Sequence, residues 1–274
     1  MVILVSDFHP DSCLVAEVRS SPNFGERKSG TKVDMLVLHY TGMADADMAV
    51  RHLCMRGSDV SAHYVVLENG HIIQCVPEAM RAWHAGQSSW AGETDINSCS
   101  IGIEIVNPGH DLGYPDFPRR QVAAVTALCR GVLTRHHIPA DRVLAHSDVA
   151  PARKRDPGEK FPWRVLHLSG IGIWVKPAPI VPGAIFVLGD RDSSVEETQV
   201  LLAKFGYEVP RSGYLDGATR DAVAAFQRHF RPAKADGVLD TSTLETLRAL
   251  IEAQERARAQ ETAQLKLPYS RTAS

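Results

Sequence analysis

The stretch Ala145–Trp163, AHSDVAPARKRDPGEKFPW, carries His146, Lys154 and Asp156 among Pro151, Pro157, Gly158 and Pro162. The prolines and the glycine exclude a regular helix or a central strand through most of it. These groups therefore sit on an irregular loop that the rest of the chain must hold. His146 and Asp156 offer a nitrogen and an oxygen donor of the kind zinc accepts, and Lys154 stands close by in sequence. Two further candidates lie elsewhere: His39 closes the apolar run VDMLVLHYT, and Glu104 lies in SIGIEIV. A hydrolytic zinc site needs three protein ligands and one open position, a carboxylate to relay protons, and a cation to meet a developing oxyanion. His39, His146 and Asp156 can be the ligands, Glu104 the carboxylate and Lys154 the cation. From the residues alone, His39 could equally be a hydrogen-bonded core histidine and Glu104 an exposed strand residue. No HExxH pattern is present, which excludes a thermolysin-like centre.

The elements that must position these groups follow from periodicity. Val33–Thr41 suits a buried strand ending at His39. Asp45–Met55 has helical spacing, with Asp45 as N-cap and Gly57 beyond its end. Two apolar runs, Tyr64–Leu67 and Ile72–Val76, flank Asn69-Gly70 and predict a hairpin. Met80–Trp90 is a loop with two tryptophans, which implies that some surface there is covered. Ser100–Val106 places Ile101, Ile103 and Ile105 on one face and Gly102 and Glu104 on the other. Arg119–His137 reads as an amphipathic helix, and Arg142–Ala145 as the strand that delivers His146. Strands and helices thus mix, and an α/β fold is expected, with a mixed central sheet flanked by helices. Residues 6–33 read as an extended lead-in.

Beyond Trp174–Gly183, which is proline-rich, an internal repeat appears: GYLDGAT at 213–219 recurs as GVLDTST at 237–243. Each copy turns into a helix that Asp216 or Thr219, and Asp240 or Thr243, can cap. With Ser194–Phe205 these make a small all-α three-helix domain. The expected organisation is a catalytic domain over 1–176, a linker over 177–190, the helical domain over 191–255 and a flexible polar tail over 256–274.

The chain has 274 residues, 44% hydrophobic and 23% charged, with a formal net charge of -2. That suits two soluble globular domains and gives no sign of nucleic acid or an acidic membrane surface as partner. Cys13, Cys54, Cys75, Cys99 and Cys129 are odd in number and form no CxxC, which fits reduced thiols. Met1–Val5 is too short for a signal-peptide core, and no run approaches the ~20 apolar residues of a membrane span. As given, the chain reads as cytoplasmic, with the periplasm or cell envelope as the alternative. No obligate protein partner is indicated.

In order and spacing, VDMLVLHYT, VSAHYVV, RAWHAGQSSW, NSCSIGIEIVN and AHSDVAPARKRDPGEKFPW resemble the zinc-dependent N-acetylmuramoyl-L-alanine amidases of the AmpD/AmiD type over roughly residues 20–175. The resemblance implies one Zn2+ per chain, held by His39, His146 and Asp156. It implies Glu104 as general acid/base and Lys154 as the group stabilising the tetrahedral intermediate. It further implies that Tyr40, Tyr64, Arg81, Trp83, His84 and Asn97 bind substrate, with His63 structural. Related phage amidases carry a tyrosine where this chain has Ala62, which favours Glu104 as the proton relay. VEETQVLLAKFGY, GYLDGATRDAVAAFQ and ADGVLDTSTLETL resemble the three-helix peptidoglycan-binding module. The implied partner is peptidoglycan or a muropeptide, and the implied reaction is hydrolysis of the amide between an N-acetylmuramoyl (or 1,6-anhydro-N-acetylmuramoyl) residue and L-alanine. A module of this kind would raise the local concentration of enzyme on the polymer.

Overall fold

The computed structural model describes residues 8–265; Met1–Val5 and residues 266–274, on which the sequence reading also drew, lie outside them. The first part of the chain runs β1 (Glu17–Val18), β2 (Phe24–Gly25), β3 (Met35–Tyr40), α1 (Ala46–Cys54), β4 (Tyr64–Val66), β5 (Ile72–Gln74), β6 (Arg81–Ala82), α2 (Ile96–Cys99) and β7 (Ser100–Ile105). It continues through α3 (Arg119–His136), β8 (Val143–Ala145), α4 (His146–Val149) and α5 (Trp163–Leu168). The second part holds β9 (Ile185–Phe186), α6 (Ser193–Phe205), α7 (Gly217–Phe230), β10 (Leu239–Asp240) and α8 (Thr241–Leu265).

The main sheet is six-stranded, in the order β1-β5-β4-β7-β3-β8. β4, β7, β3 and β8 run parallel, and β4 and β5 form the antiparallel hairpin that Asn69-Gly70 predicts. Gly70 takes the left-handed conformation of that turn (φ 88°), and its N–H donates to Leu67 O (2.9 Å). Both faces of the middle strands are covered, which is why their sequences read as continuous apolar runs. Leu36, Leu38, Ile101, Ile103 and Ile105 pack beneath α3 against Val125, Leu128, Cys129 and Val132. On the opposite face, Met35 and Val37 join a core with Leu202, Phe205, Phe226 and Phe230 of the helical module. By the two-residue period of a strand, His39 falls on the face of Met35 and Val37, and Glu104 on that of Gly102.

Asp45 caps α1 as expected, its Oδ1 accepting from Met48 N–H (2.7 Å). In the module the repeat has a physical basis. Asp216 accepts from Thr219 N–H and Asp240 from Thr243 N–H, each at 2.8 Å. Gln199 and Gln227 then play one part in each copy. Gln199 donates to Tyr214 O and Thr219 Oγ1 and accepts from Gly213 N–H, while Gln227 donates to Val238 O and Thr243 Oγ1 and accepts from Gly237 N–H.

Two expectations gain detail and one needs correction. The lead-in is extended, as expected, and it is fastened: β1 adds to the sheet edge beside β5, β2 pairs with β6, and Arg27 donates to the carbonyls of Glu78, Asn97, Ser98 and Ser100. The module has its three helices, α6, α7 and α8, and adds a short antiparallel pair, β9 with β10. The tail expected from 256 onward continues α8 to Leu265. Its residues (Arg, Ala, Gln, Glu) are good helix formers, and Gln254 and Arg258 anchor it by donating to Asp141 Oδ2 at 2.9 and 2.8 Å. Residues 173–184 carry no helix or strand, yet Ala178 is fastened to α8 through Thr246 and Ser242.

Candidate metal centre and active site

β7, β3 and β8 are neighbours in the sheet, and the candidate residues stand at their carboxyl ends. The register sets His39 opposite Glu104, and Leu38 opposite Ala145, so His146 follows directly beside His39. This is the edge at which parallel α/β sheets place their ligands. Asp156 reaches the same point from the proline-rich loop, which Ser147 N–H holds through Asp156 O (2.9 Å) and Tyr114 O–H through Pro157 O (2.7 Å).

The three donors converge and are buried. His39 Nδ1 and His146 Nδ1 are 2.8 Å apart, and Asp156 Oδ2 lies 3.0 Å from His146 Nδ1 and 3.3 Å from His39 Nδ1. Counting protons outward from them decides their character. Ser100 O–H donates to Ile96 O (2.6 Å), so Ser100 Oγ accepts from His84 Nε2–H (3.0 Å). His84 Nδ1 is then an acceptor and takes His39 Nε2–H (3.1 Å), which leaves a lone pair on His39 Nδ1. Likewise His146 Nε2–H donates to Ala85 O (3.0 Å), which turns Nδ1 of that ring toward the same point. Burial first, then the neighbouring His146, lower the His39 pKa to about 4, and burial holds that of His84 well below the usual imidazole range, so both rings are neutral at pH 7. Burial opposes ionisation of Asp156, but the His146 and His39 contacts outweigh it and hold the carboxyl well below the usual range. Two imidazole nitrogens and a carboxylate oxygen facing one another at 2.8–3.3 Å form a donor set that suits a bound cation, and its chemistry fits zinc.

A pocket of about 380 Å³ opens over this centre and is lined by Tyr40, Trp83, His84, Glu104, His146, Lys154 and Asp156. Glu104 Oε2 has no hydrogen-bond partner among the described residues. Burial, then the Asp156 charge, raise the Glu104 pKa well above that of an ordinary glutamate, with Lys154 opposing. A carboxyl tuned in that direction can both take and give a proton near neutral pH.

Of the residues expected to bind substrate, Tyr40, Trp83 and His84 line the pocket, whereas Tyr64, Arg81 and Asn97 do not. Tyr64 is fully buried and donates to Glu78 Oε1 (2.7 Å). Arg81 pairs with Asp95 (2.8 Å), and Asn97 Oδ1 accepts from His84 N–H and Ala85 N–H (3.1 and 2.8 Å), shaping the loop from beneath. His63 is buried and accepts from Gly102 N–H (3.0 Å), a structural place.

Comparison with known proteins bears directly on this arrangement. The chain is 37% identical over 237 residues to N-acetylmuramoyl-L-alanine amidase AmiD of Escherichia coli (strain K12), covering 81% of this chain and 83% of that one. The chain belongs to the N-acetylmuramoyl-L-alanine amidase family. Residues 29–159 match that family by description, and residues 191–247 match a peptidoglycan binding domain family. A further relative is 1,6-anhydro-N-acetylmuramyl-L-alanine amidase AmpD of Salmonella typhimurium (strain SL1344), 35% identical over 174 residues, 56% of this chain and 90% of that one. Among solved structures, a complex of AmiD from E. coli with the substrate anhydro-N-acetylmuramic acid-L-Ala-D-gamma-Glu-L-Lys aligns with TM-score 0.68 and 33% identity, over 84% of this chain and 97% of that chain. AmpDh3 from Pseudomonas aeruginosa aligns with TM-score 0.68 and 32% identity, over 83% and 95%.

Residues that the motifs did not single out also shape the centre of this amidase. Ser100 and the Ala85 carbonyl set the tautomers of the two histidines. Gly102 admits the His84 ring, since a Cβ there would lie 2.4 Å from His84 Cγ. The lone glycine inside an apolar strand was the available signal. Arg153 donates to Ala85 O (2.7 Å) and Gln87 O (2.8 Å) and steadies the carbonyl that His146 uses.

Proposed function

We propose that this amidase uses a single zinc ion, held by His39, His146 and Asp156, to hydrolyse the amide between the lactyl carbonyl of an N-acetylmuramoyl (or anhydro-N-acetylmuramoyl) residue and L-alanine of a wall stem peptide. The observation that carries this is the convergence of two imidazole nitrogens and one carboxylate beneath a pocket that also presents the unpartnered Glu104 carboxyl. Zinc at that point supplies Lewis acidity toward a carbonyl oxygen and lowers the pKa of water. Glu104 takes the proton of the attacking water and gives it to the departing amine of L-alanine. Lys154 meets the negative charge that gathers on the scissile carbonyl oxygen. Tyr40 and Trp83 form apolar walls for the sugar and the peptide. A related fold that binds peptidoglycan without cutting it is the other reading, and the complete donor set favours the enzyme.

The muropeptide named in the AmiD complex supports a soluble anhydro-muropeptide as substrate, and the second module supports the polymer. The five unpaired cysteines favour a reducing compartment. No helix among the described residues is long and apolar enough to cross a membrane. The test is product analysis by mass spectrometry from insoluble sacculi and from soluble anhydro-muropeptide side by side. A stem peptide beginning at L-alanine is expected. Cleavage at another bond, or full activity of folded Glu104→Ala protein, overturns the reading.

A further inference from the structure

We infer that the C-terminal helical module is a working part of the metal centre, with Tyr207, His229 and the seat for Trp90 acting as positioning groups that fix the direction of His146. The inference rests on the reading of His146 as a zinc ligand. α4 is a single turn that opens with His146 and carries Asp148. The Asp148 side chain has no solvent exposure. Its Oδ2 accepts from Ala145 N–H (2.8 Å) and from His229 Nδ1–H (2.7 Å), and its Oδ1 from Tyr207 O–H (2.6 Å). Two of the three donors to this buried carboxyl group therefore belong to the module. The His229 ring is itself fixed, stacked between Trp163 (3.7 Å between centroids) and Phe230 (3.8 Å).

A second grip reaches His146 from its other side. The carbonyl that accepts His146 Nε2–H is that of Ala85, which opens the segment leading to Trp90. Trp90 is 1% exposed and lies edge-on to Phe205 and Tyr207, at 5.4 and 4.9 Å between centroids. Ala91 N–H donates to Gly206 O (2.8 Å), and Ser89 N–H to Val149 O (2.9 Å), closing the segment back onto α4. Gly206 has φ 146°, and a Cβ there would come within 2.4 Å of the Trp90 ring. A module that served only to tether the enzyme to a polymer would need a linker and freedom of orientation. This one shares a core with the sheet and holds both segments that orient a ligand.

The experiment uses the full chain with Tyr207→Phe, which removes one hydroxyl, and Gly206→Ala, which crowds Trp90. Lys204→Ala, at an exposed position in the last turn of α6, is the control. Zinc affinity is measured by competition with a chelating dye, kcat and KM on soluble anhydro-muropeptide at saturating zinc, and folding by circular dichroism. The expected result is a zinc Kd raised about tenfold or more and a kcat lowered by a similar factor, with KM within about twofold and the control unchanged. Folded Tyr207→Phe protein with the wild-type zinc Kd and kcat overturns the inference, whatever Gly206→Ala does. If the wild-type chain binds zinc but cuts no muropeptide, the proposed reaction falls, while the zinc affinities of the variants still decide this point.

Discussion

Removing one hydroxyl tests the proton count at the centre. Ser100 is fully buried, and its Oγ is the acceptor for His84 Nε2–H. In Ser100→Ala that N–H is left buried without a partner, at a cost of about 1–3 kcal/mol. The His84 ring escapes the cost by moving its proton to Nδ1, which then donates to His39 Nε2 and drives the His39 proton onto Nδ1. That is the atom the ion needs. The ligand-competent tautomer of His39 therefore loses about 1–3 kcal/mol against its rival, equivalent to zinc affinity weakened about 5- to 150-fold. Titration of the metal-free protein with zinc against a chelating dye at neutral pH measures this directly. Ser100→Thr, which keeps a hydroxyl, is expected to restore most of the affinity. A folded Ser100→Ala protein that binds zinc as tightly as wild type would refute the proton count and, with it, the assignment of the lone pairs.

Other outcomes follow from the same geometry. Glu104→Gln is expected to lower kcat about 10²- to 10⁴-fold with zinc binding retained, and Lys154→Ala about 10²- to 10³-fold, both read by steady-state kinetics on the muropeptide. Gly102→Ala forces a methyl into the His84 ring, and should cost both zinc affinity and turnover, as dye competition and kinetics would show. Glu78 predicts the acid limit of the fold. Burial pushes its pKa up, but hydrogen bonds from Arg135, His136 and Tyr64 outweigh this and bring it from 4.5 to about 2. Its contribution of about 3 kcal/mol is therefore present in full above pH ~4.5 and is lost as pH falls toward ~2. Urea unfolding of wild type and Glu78→Gln should differ by that amount at pH 7 and converge near pH 2; a constant difference would contradict it.

What the sequence revealed depended on how local each signal was. The two-residue period put Glu104 opposite the isoleucine row, and strand ends announced His39 and His146, so the main actors were visible before their geometry was. Tyr64 was misplaced because an aromatic beside His63 says nothing about which face it takes. Its hydroxyl partner, Glu78, lies beyond the hairpin, and the ring turns into the core to reach it. His84 was assigned to the groove and does line the pocket, but its hydrogen-bond partners come from positions 39 and 100, and no periodicity links the three. Trp90 was read correctly as covered, but its cover comes from Phe205, Gly206 and Tyr207, more than a hundred residues on. The end of α8 was read as a tail because alternating charge without an apolar stripe looks disordered. Asp141 supplies the anchor that composition cannot show.

Hydrogen-bonded neighbouring strands lie about 4.8 Å apart, a spacing that backbone geometry sets and side chains do not. Because His39 stands one residue before the end of β3 and His146 directly follows β8, the nitrogen pair is laid out by the sheet itself. Chelation should therefore leave a folded protein, unlike small zinc domains in which the ion organises the chain. Asp156 alone comes from a loop, and that loop is fixed to the same framework by Ser147 N–H and Tyr114 O–H.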